Sequence, residues 1–396
     1  MSEPQTHTSD EPTLQVHARI ADIDAHAWDR LANPDRATFN PFVAHAFLKA
    51  LEDTGAVGEG TGWHPRHLTL IEQGRVTAAM PLYAKTHSQG EFVFDHAWAD
   101  AMHRAGKRYY PKLQCAVPFT PVPGPRLLVG GGDEAAERRD LLIAGALHVA
   151  REMDCSSLHV TFADEPEWRA LGDQGFLLRT GQQFHFTNPG YRNFDDFLAT
   201  LASRKRKTLK RERAEAVASG LTIRHVRGRD ITEADWDAFF AFYMDTGARK
   251  WGRPYLNRHF FSALGAALPD ACLLIFAERE GRPIAGALNL VGGDCLYGRY
   301  WGAIEQHPFL HFEVCYYQAI EAAIALGLSR VEAGAQGEHK LARGYSPVTT
   351  HSAHWLFDPG LRKAVAHYLD HERSVIEEAN AELQALTPYR KGPLQD

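Results

Sequence analysis

The sequence predicts an α/β (α+β) protein made of two similar units, each with a mixed, largely antiparallel sheet. Two passages carry the same strand–turn–strand pattern, LTLIEQGRVTAAMPLY and LLIFAEREGRPIAGALNLV. Each passes from an apolar run through a glutamate and a Gly-Arg turn into a second apolar run rich in small residues, which is typical of a β-hairpin. The repeat indicates an internal duplication.

The segments after the two hairpins have the same order, which supports the duplication. After the first come strand-like GEFVFDHAWA and KLQCAVPF, the helical pattern DEAAERRDLLIAGALHVAREMD and the short strand SSLHVTF. After the second come CLYGRYWGA, the helical pattern FEVCYYQAIEAAIALG and the short strand SRVEAGA. We therefore expect one domain over 1–190, with residues 1–13 disordered, and a second over 191–396 that includes a basic helix and a closing C-terminal helix.

The composition argues against several classes of protein. The 396 residues carry a net charge of −6, with 44% hydrophobic and 23% charged residues, as expected of a globular protein. No apolar run reaches the roughly 18 residues that a transmembrane helix needs. The polar N-terminus lacks the features of a secretory signal, so a cytoplasmic location is expected. The five scattered cysteines include no C-x-x-C pair, which argues against a disulfide framework or a cysteine zinc site.

The strongest concentration of charge is SRKRKTLKRER, Ser203–Arg213, in which seven basic residues accompany one glutamate. Its apolar neighbours predict one continuous helix from near Phe194 to Gly220, with the basic residues in its middle and second half. Arginine and lysine at helical spacing suit phosphate. A solvated helix face is the alternative, and duplex DNA is disfavoured because the rest of the chain is acidic. The predicted substrate-binding residues of this helix are Arg204, Arg206, Lys207 and Lys210.

A glycine-rich loop, VEAGAQGEHKLARGYSP, leaves a short apolar strand and combines acid, base, amide and cation side chains. Either of two glutamates would act as general base, the histidine as acid or base, and the lysine and arginine as stabilisers of an oxyanion or a phosphate. A polar loop that forms its own salt bridges is the alternative. The candidate catalytic residues are Glu332, Glu338, His339 and Lys340, and the candidate binding residues are Gln336 and Arg343.

Two further stretches combine aromatic and basic side chains. The rings of GRYWG would wall a cleft, and TGARKWGRPYL lies just after a helix, where cations also complement the helix dipole without a ligand. In the first half, YYPKLQ and FVFDHAW are weaker candidates. His307, His311 and Glu313 lack a recognised ligand spacing, so no metal site is expected. The candidates from the first two stretches are Tyr300, Trp301, Arg249, Lys250 and Trp251.

Several of these strings carry a resemblance to a known family. FNPFVAHAFLKALE, GRYWG and EAGAQGEHKLARGY resemble the Fem-like predicted N-acyltransferases, and the basic segment between two similar halves resembles the related Fem peptidoglycan peptidyltransferases. The resemblance covers roughly Phe39 to Arg390. It implies two tandem GNAT-like acyltransferase domains, with a cleft between them or in the second.

The resemblance leaves the acyl donor open. Neither half has the Gln/Arg-x-x-Gly-x-Gly/Ala loop with which GNAT domains hold coenzyme A, so acyl-CoA, aminoacyl-tRNA and acyl carrier protein are all candidate donors, and tRNA is a candidate partner. We expect an N-acyltransferase that moves an acyl or aminoacyl group onto an amine of a small phosphorylated, cell-wall-related substrate. The alternative is a non-catalytic module that binds tRNA or a phosphorylated precursor.

Overall fold

The computed structural model describes residues 11–250, 254–334 and 337–390. These fall into two compact units. Unit 1 comprises the described parts of Met1–Pro34, Phe42–Arg179 and His351–Glu372, and unit 2 those of Asp35–Pro41, Thr180–Thr350 and Arg373–Asp396. Each unit includes short segments from the other half of the chain, so a single boundary at residue 190 does not describe them. Most of the stretch expected to be disordered lies outside the described residues, but Thr13 begins a strand.

Unit 1 contains two sheets. A three-stranded antiparallel sheet has the order β1-β3-β4, and a second sheet runs β2-β5-β6-β7 and continues to the C-terminal part of β14. The strands are β1 (Thr13–His17), β2 (Trp63–Pro65), β3 (His67–Glu72), β4 (Arg75–Met80), β5 (Leu82–Lys85), β6 (Lys112–Cys115), β7 (Ser157–Ala163) and β14 (Ser346–Leu356), which is divided between the units.

Five α-helices of the described chain lie wholly in unit 1, and the longest of them covers its apolar core. Leu142, Ala146 and Ala150 recur at helical spacing along its buried side and pack in one cluster with Leu158 and Val160 of β7. The helices are α1 (Ala25–Ala32), α2 (His45–Asp53), α3 (His96–Arg104), α4 (Ala135–Glu152) and α5 (Glu165–Asp173). The segment GEFVFDHAWA was predicted to be a strand, and this prediction is wrong. Residues 86–95 form neither helix nor strand, and α3 begins directly after them.

Unit 2 has a mixed sheet with the order β8-β13-β12-β11-β10-β9. All neighbouring pairs in it are antiparallel except β12 and β13, which are parallel and are joined by a helical crossover. The strands are β8 (Leu177–Thr187, from Thr180 onward in this unit), β9 (Leu221–Arg227), β10 (Cys272–Arg279), β11 (Arg282–Val291), β12 (Cys295–Ala303) and β13 (Arg330–Glu332).

The helices of unit 2 include the basic one. They are α6 (Phe194–Thr200), α7 (Ser203–Ala216), α8 (Glu233–Lys250), α9 (Arg258–Ala267), α10 (Leu310–Phe312), which continues through a π-turn at Glu313–Tyr317 into α11 (Gln318–Ala325), and α12 (Pro359–Ala385), whose later part belongs to this unit. Throughout the part of the chain that the structure describes, each helix is too short or too polar to cross a membrane.

The two predicted hairpins are confirmed, down to their turns. Gln73 and Gly74 join β3 to β4 with positive φ angles of 50° and 74°, and Glu280 and Gly281 join β10 to β11 with 51° and 75°. Two consecutive positive φ values define the tight turn whose twist matches paired strands, and glycine at the second position adopts it without strain. The internal duplication is thus visible at the level of single backbone angles.

Candidate functional site

The basic segment forms two helices rather than the single helix predicted from its apolar spacing. The break lies at Leu201 and Ala202, because the Ala202 N–H donates to the Pro388 carbonyl (2.9 Å) and Leu201 bridges to Tyr389. Helix α7 therefore starts at Ser203, and the basic residues begin in its first turn instead of its middle. A helix N-terminus disfavours cations by about 0.3–1 kcal/mol each, so this placement is costly unless an anion is present.

A cavity of about 390 Å³ lies beside the start of α7. Ala202, at the N-cap, offers no side-chain cap to the free N–H groups of the first turn. Arg204 and Lys205 line the cavity, and within the described ranges neither side chain forms an ion pair. Free backbone N–H groups together with two cations form an arrangement that binds anions such as phosphate. The cavity is lined by Arg204, Lys205, Thr208, Leu209, Glu212, Ala342 and Arg343.

Glu212 connects this cavity to the glycine-rich loop. Its carboxylate is 7% exposed and accepts two hydrogen bonds from the Arg343 Nη2 atom, at 3.0 and 2.9 Å, and one from the Tyr317 hydroxyl. The Arg343 guanidinium also donates to the His339 carbonyl (2.6 Å) and lies 3.4 Å from the centre of the Phe312 ring. Helix α7 thus fixes the short helical turn that carries His339 and Lys340.

The other predicted residues of the basic helix lie away from the cavity lining. Lys210 is exposed and lies 3.6 Å from Asp195, while Arg206 is half-buried and Lys207 is exposed. Arg213, on the same face as Arg206 and Lys210, is held by two glutamates that the sequence analysis did not pair with it. Its guanidinium donates to Glu313 of the π-turn (2.8 Å) and to Glu321 of α11 (2.8 Å).

Among the loop candidates whose side chains the structure describes, Lys340 is the most buried, at 2% exposure. Its Nζ donates to the carbonyl of Gly334 (2.9 Å), just beyond the end of β13, and burial lowers its pKa to about 8. The neighbouring His339 is exposed and its Nε2 lies 3.0 Å from the Tyr316 hydroxyl. Gly337 has a φ of 109°, and a Cβ there would lie 2.3 Å from the His339 ring, so the turn requires glycine.

Glu332, the last residue of β13, is also buried, and burial raises its pKa to about 7. The Arg330 Nε atom donates to its Oε1 at 3.3 Å, and His185 of β8 lies 3.9 Å from its Oε2. Oε2 has no hydrogen-bond partner among the described residues. A carboxyl that titrates near neutral pH with one free oxygen has the properties of a general base.

The strand pair β12 and β13 is short at this point. It is hydrogen-bonded from Cys295 opposite Arg330 to Tyr297 opposite Glu332, after which β12 continues to Ala303. A register shift between Leu288 and Asn289 of β11 marks an irregularity in the adjoining ladder. Such bulges re-aim side chains and commonly lie next to sites.

Tyr300 and Trp301 do not line one cleft as predicted, because successive strand residues point to opposite faces. Trp301 lies 5.3 Å from the His311 ring and lines a second cavity of about 350 Å³ with Thr246 and Leu310. Tyr300 instead lies 5.2 Å from Tyr243 of α8. Among the remaining candidates, Gln336 and Trp251 lie outside the described residues, as do the side chains of Glu338, Arg249 and Lys250.

Comparisons with known proteins identify a family and several structures of similar fold. Residues 19–391 match the model of the FemAB-like family, described as peptidoglycan biosynthesis/recognition. Among curated proteins, none matches the sequence. The structure is similar to that of FemX, with a TM-score of 0.53 and 12% identity over 90% of this chain and 100% of that one.

Two lysylphosphatidylglycerol synthetase structures share the fold at 11% identity and a TM-score of 0.50. One is the C-terminal domain of a putative enzyme from Agrobacterium fabrum, with 90% of this chain and 97% of that chain covered. The other is L-PGS from Bacillus licheniformis, with 84% and 98% covered. At such identity these likenesses concern the fold, and the family match extends over nearly the whole chain. The chain belongs to the FemAB-like family, and its fold is similar to that of FemX and of the lysylphosphatidylglycerol synthetase structures.

Proposed function

We propose that the protein transfers an acyl or aminoacyl group to an amine of a phosphorylated substrate related to the cell wall. The observation that carries the proposal is the cavity at the start of α7, where Arg204 and Lys205 are exposed at an uncapped helix N-terminus. Cations there are unfavourable without a bound anion, and phosphate satisfies both the cations and the free N–H groups. The family description names peptidoglycan biosynthesis or recognition, which supports a cell-wall-related substrate.

Two groups at and beyond the end of β13 supply the chemistry in this proposal. The acceptor amine attacks the carbonyl carbon of the acyl donor, and Glu332 accepts the proton that the nitrogen loses. The Lys340 ammonium stabilises the oxyanion, which then collapses and breaks the bond to the donor oxygen or sulfur, and this leaving atom takes the proton from Glu332 to depart as the alcohol or thiol. Glu212 acts as a positioning residue, because it holds Arg343 and through it the turn that carries Lys340.

The donor is aminoacyl-tRNA, acyl-CoA or acyl carrier protein, and the proposal includes the cytoplasmic location in which these donors are made. All three carry phosphate, so a basic cavity suits each of them. The fold shared with FemX and with the lysylphosphatidylglycerol synthetases favours testing aminoacyl-tRNA first.

A ligand screen by thermal unfolding tests the proposal. The full chain is heated with acyl-CoAs, aminoacyl-tRNAs, acyl carrier protein and nucleotide-linked muramyl peptides, and mixtures that stabilise it are assayed for amide product by mass spectrometry. A ligand present at a hundred times its Kd adds about 2.7 kcal/mol to the free energy of unfolding. Absence of product with every stabilising pair of ligands would reject the reaction.

The chain offers a matched control for the cavity. Arg204→Ala with Lys205→Ala should weaken binding of the phosphorylated ligand roughly 10- to 100-fold in a salt-dependent manner, since two charge-assisted hydrogen bonds are lost. Lys207→Ala with Lys210→Ala removes the same charge from the same helix outside the cavity, and should change binding much less. Equal weakening by both pairs would instead indicate a diffuse basic surface.

A further inference from the structure

Unit 1 contains a second cluster of charge, which includes Lys112 of the stretch YYPKLQ and Asp95 of the stretch FVFDHAW. Lys85 ends β5, Lys112 begins β6, and Glu91 and Asp95 belong to residues 86–95; all four side chains are at most 4% exposed. Burying four charges together costs several kcal/mol for each ion, and a buried network of this kind is weak evidence for stability. The cluster therefore needs a reason other than stability.

Lys112 is the centre of the cluster. Its Nζ donates to Glu91 Oε2 (2.7 Å), to Ser88 Oγ (2.8 Å) and to Asp95 Oδ2. The Tyr109 hydroxyl donates to the same Asp95 oxygen at 2.7 Å. Lys112 has thereby used all three of its N–H groups, and each carboxylate has used one of its two oxygens.

The second oxygen of each carboxylate is unsatisfied. Glu91 Oε1 and Asp95 Oδ1 are shielded from solvent and have no hydrogen-bond partner within the described part of the chain, although Lys85 Nζ lies 3.6 Å from Glu91 Oε1. The amide oxygen of Gln114, on the same strand as Lys112, is unsatisfied as well. All three atoms are acceptors. The cluster thus lacks N–H donors, and leaving buried acceptors unpaired costs about 1–3 kcal/mol each.

The segment that covers the cluster has no regular secondary structure. Residues 86–95 form neither helix nor strand, and Phe92 has a φ of 62°, which a bulky side chain adopts at a cost. Glu91 and Asp95 point inward while Phe92 and Phe94 are 37% and 59% exposed, so charge is inside and apolar surface outside. Besides the ionic contacts with Lys112, the Phe119 N–H donates to the Gly90 carbonyl (3.1 Å) and Trp63 Nε1 to the Gln89 carbonyl (3.2 Å), so these bonds must break for the segment to open.

We propose that this cluster is a binding site for a primary amine, whose N–H groups bind the free oxygens of Glu91 and Asp95 once residues 86–95 open and close over it. This site is separate from the one in the proposed function, and the inference does not rest on that function.

Calorimetric titration of the full chain with glycinamide, and with N-acetylglycinamide as the probe that lacks a primary amine, tests the site. Glycinamide should bind saturably and the acetylated probe should not. The isosteric variant Glu91→Gln should weaken glycinamide binding tenfold or more, whereas Arg204→Ala with Lys205→Ala should leave it unchanged. Equal binding of both probes, or no saturable heat with either, would overturn the proposal and assign the free oxygens to internal water.

Hydrogen–deuterium exchange of the wild-type chain keeps the test independent of the folding of a variant. Peptides that cover residues 86–95 should exchange more slowly with glycinamide, while those of α7 should not change. Unchanged exchange at 86–95 would count against the site. The two proposals fail separately. If the donor screen gives no product but glycinamide binds saturably, the reaction is rejected and the amine site is kept. If the screen gives product but glycinamide does not bind, only the amine site is rejected.

Discussion

Units 1 and 2 contain the same local topology and use it differently. In each, two parallel strands are joined by a helical crossover: β6, α4 and β7 in unit 1, and β12, α10–α11 and β13 in unit 2. The registers run from Leu113 opposite Leu158 to Cys115 opposite Val160, and from Cys295 opposite Arg330 to Tyr297 opposite Glu332. The units differ in the chain segments that come after these paired residues.

In unit 1, the chain that follows β6 comes back to β7 and forms hydrogen bonds with it. The Gly124 N–H donates to the Phe162 carbonyl (3.1 Å), and the fully buried Arg126 donates from Nε to the Thr161 carbonyl (2.9 Å). Three further hydrogen bonds join its guanidinium to the carbonyls of the preceding segment, residues 122–125. Four of the five N–H groups of this cation are thus bonded to backbone carbonyls.

In unit 2, the chain after β13 enters the glycine-rich loop. Lys340 has one acceptor among the described residues, the Gly334 carbonyl, although an ammonium group can donate three hydrogen bonds. Glu332 likewise keeps a free oxygen there. Unit 1 thus holds a largely satisfied cation after the first strand of its crossover, whereas unit 2 holds partly satisfied groups with pKa values near neutrality at and after the second strand. We expect substitutions in the first place to affect stability and in the second to affect activity.

The largest expected effect comes from removing Arg126. Arg126→Met should lower the free energy of unfolding by about 3–5 kcal/mol, because the buried carbonyls that accept from its guanidinium lose their donor. Urea unfolding measures the change, with the exposed Arg75→Met as control. Acyl transfer per folded molecule should be unchanged. A specific loss of turnover without a loss of stability would contradict the structural role of Arg126.

Lys340→Met should have the opposite signature. Loss of the ammonium group should lower kcat about 10²- to 10³-fold, as for the loss of one oxyanion donor. Stability should stay the same or rise, because burial disfavours the charge of Lys340, as its lowered pKa indicates. Turnover and thermal unfolding of the same preparation separate the two effects, with the exposed Lys363→Met as control. Unaltered turnover would remove Lys340 from the mechanism.

The parts that sequence could predict were those with a local cause. The hairpin turns at Gln73–Gly74 and Glu280–Gly281 result from glutamine or glutamate before glycine between apolar runs, and the long helices result from apolar residues at helical spacing. The break before Ser203 could not be predicted this way, because Ala202 is bonded to Pro388, which is distant along the chain. That break moves the basic residues to a helix N-terminus.

The wrong strand prediction in unit 1 and the residues missed in the site have the same origin, which is pairing between side chains that lie far apart along the chain. GEFVFDHAWA alternates as a strand does, but its inward residues are the acids Glu91 and Asp95, which are paired with Lys112 from a later strand. In the site, Lys205 and Glu212 were missed. Glu212 is the one acid within a run of basic residues, which was a signal that its side chain pairs with a cation inside the protein. Its partner, Arg343, lies far along the chain.

The smallest expected effect comes from changing two buried glutamates, Glu167 in unit 1 and Glu332 in unit 2. Burial raises the pKa of Glu332 to about 7 and that of Glu167 to about 8, both from 4.5. As pH rises from about 4.5 to 7, the unfolded chain ionises a carboxyl that the folded chain keeps protonated, so each group lowers stability across that range and the loss persists above it. Their hydrogen bonds differ, however. Glu167 accepts the backbone N–H groups of Arg126 and Leu127, whereas Glu332 keeps one oxygen free.

Glutamine should therefore act in opposite directions at the two positions. Glu332→Gln should raise the free energy of unfolding at pH 8 by about 1–3 kcal/mol and leave it nearly unchanged at pH 4, because an amide carries no charge to bury. If Glu332 is the general base, the variant also loses turnover. Glu167→Gln should destabilise the protein at pH 8, since an amide NH₂ in place of Oε2 cannot accept the hydrogen bond of 2.8 Å from the Arg126 N–H. Urea unfolding at the two pH values measures both, and stabilisation of both variants at pH 8 would mean that burial alone governs the two carboxyls.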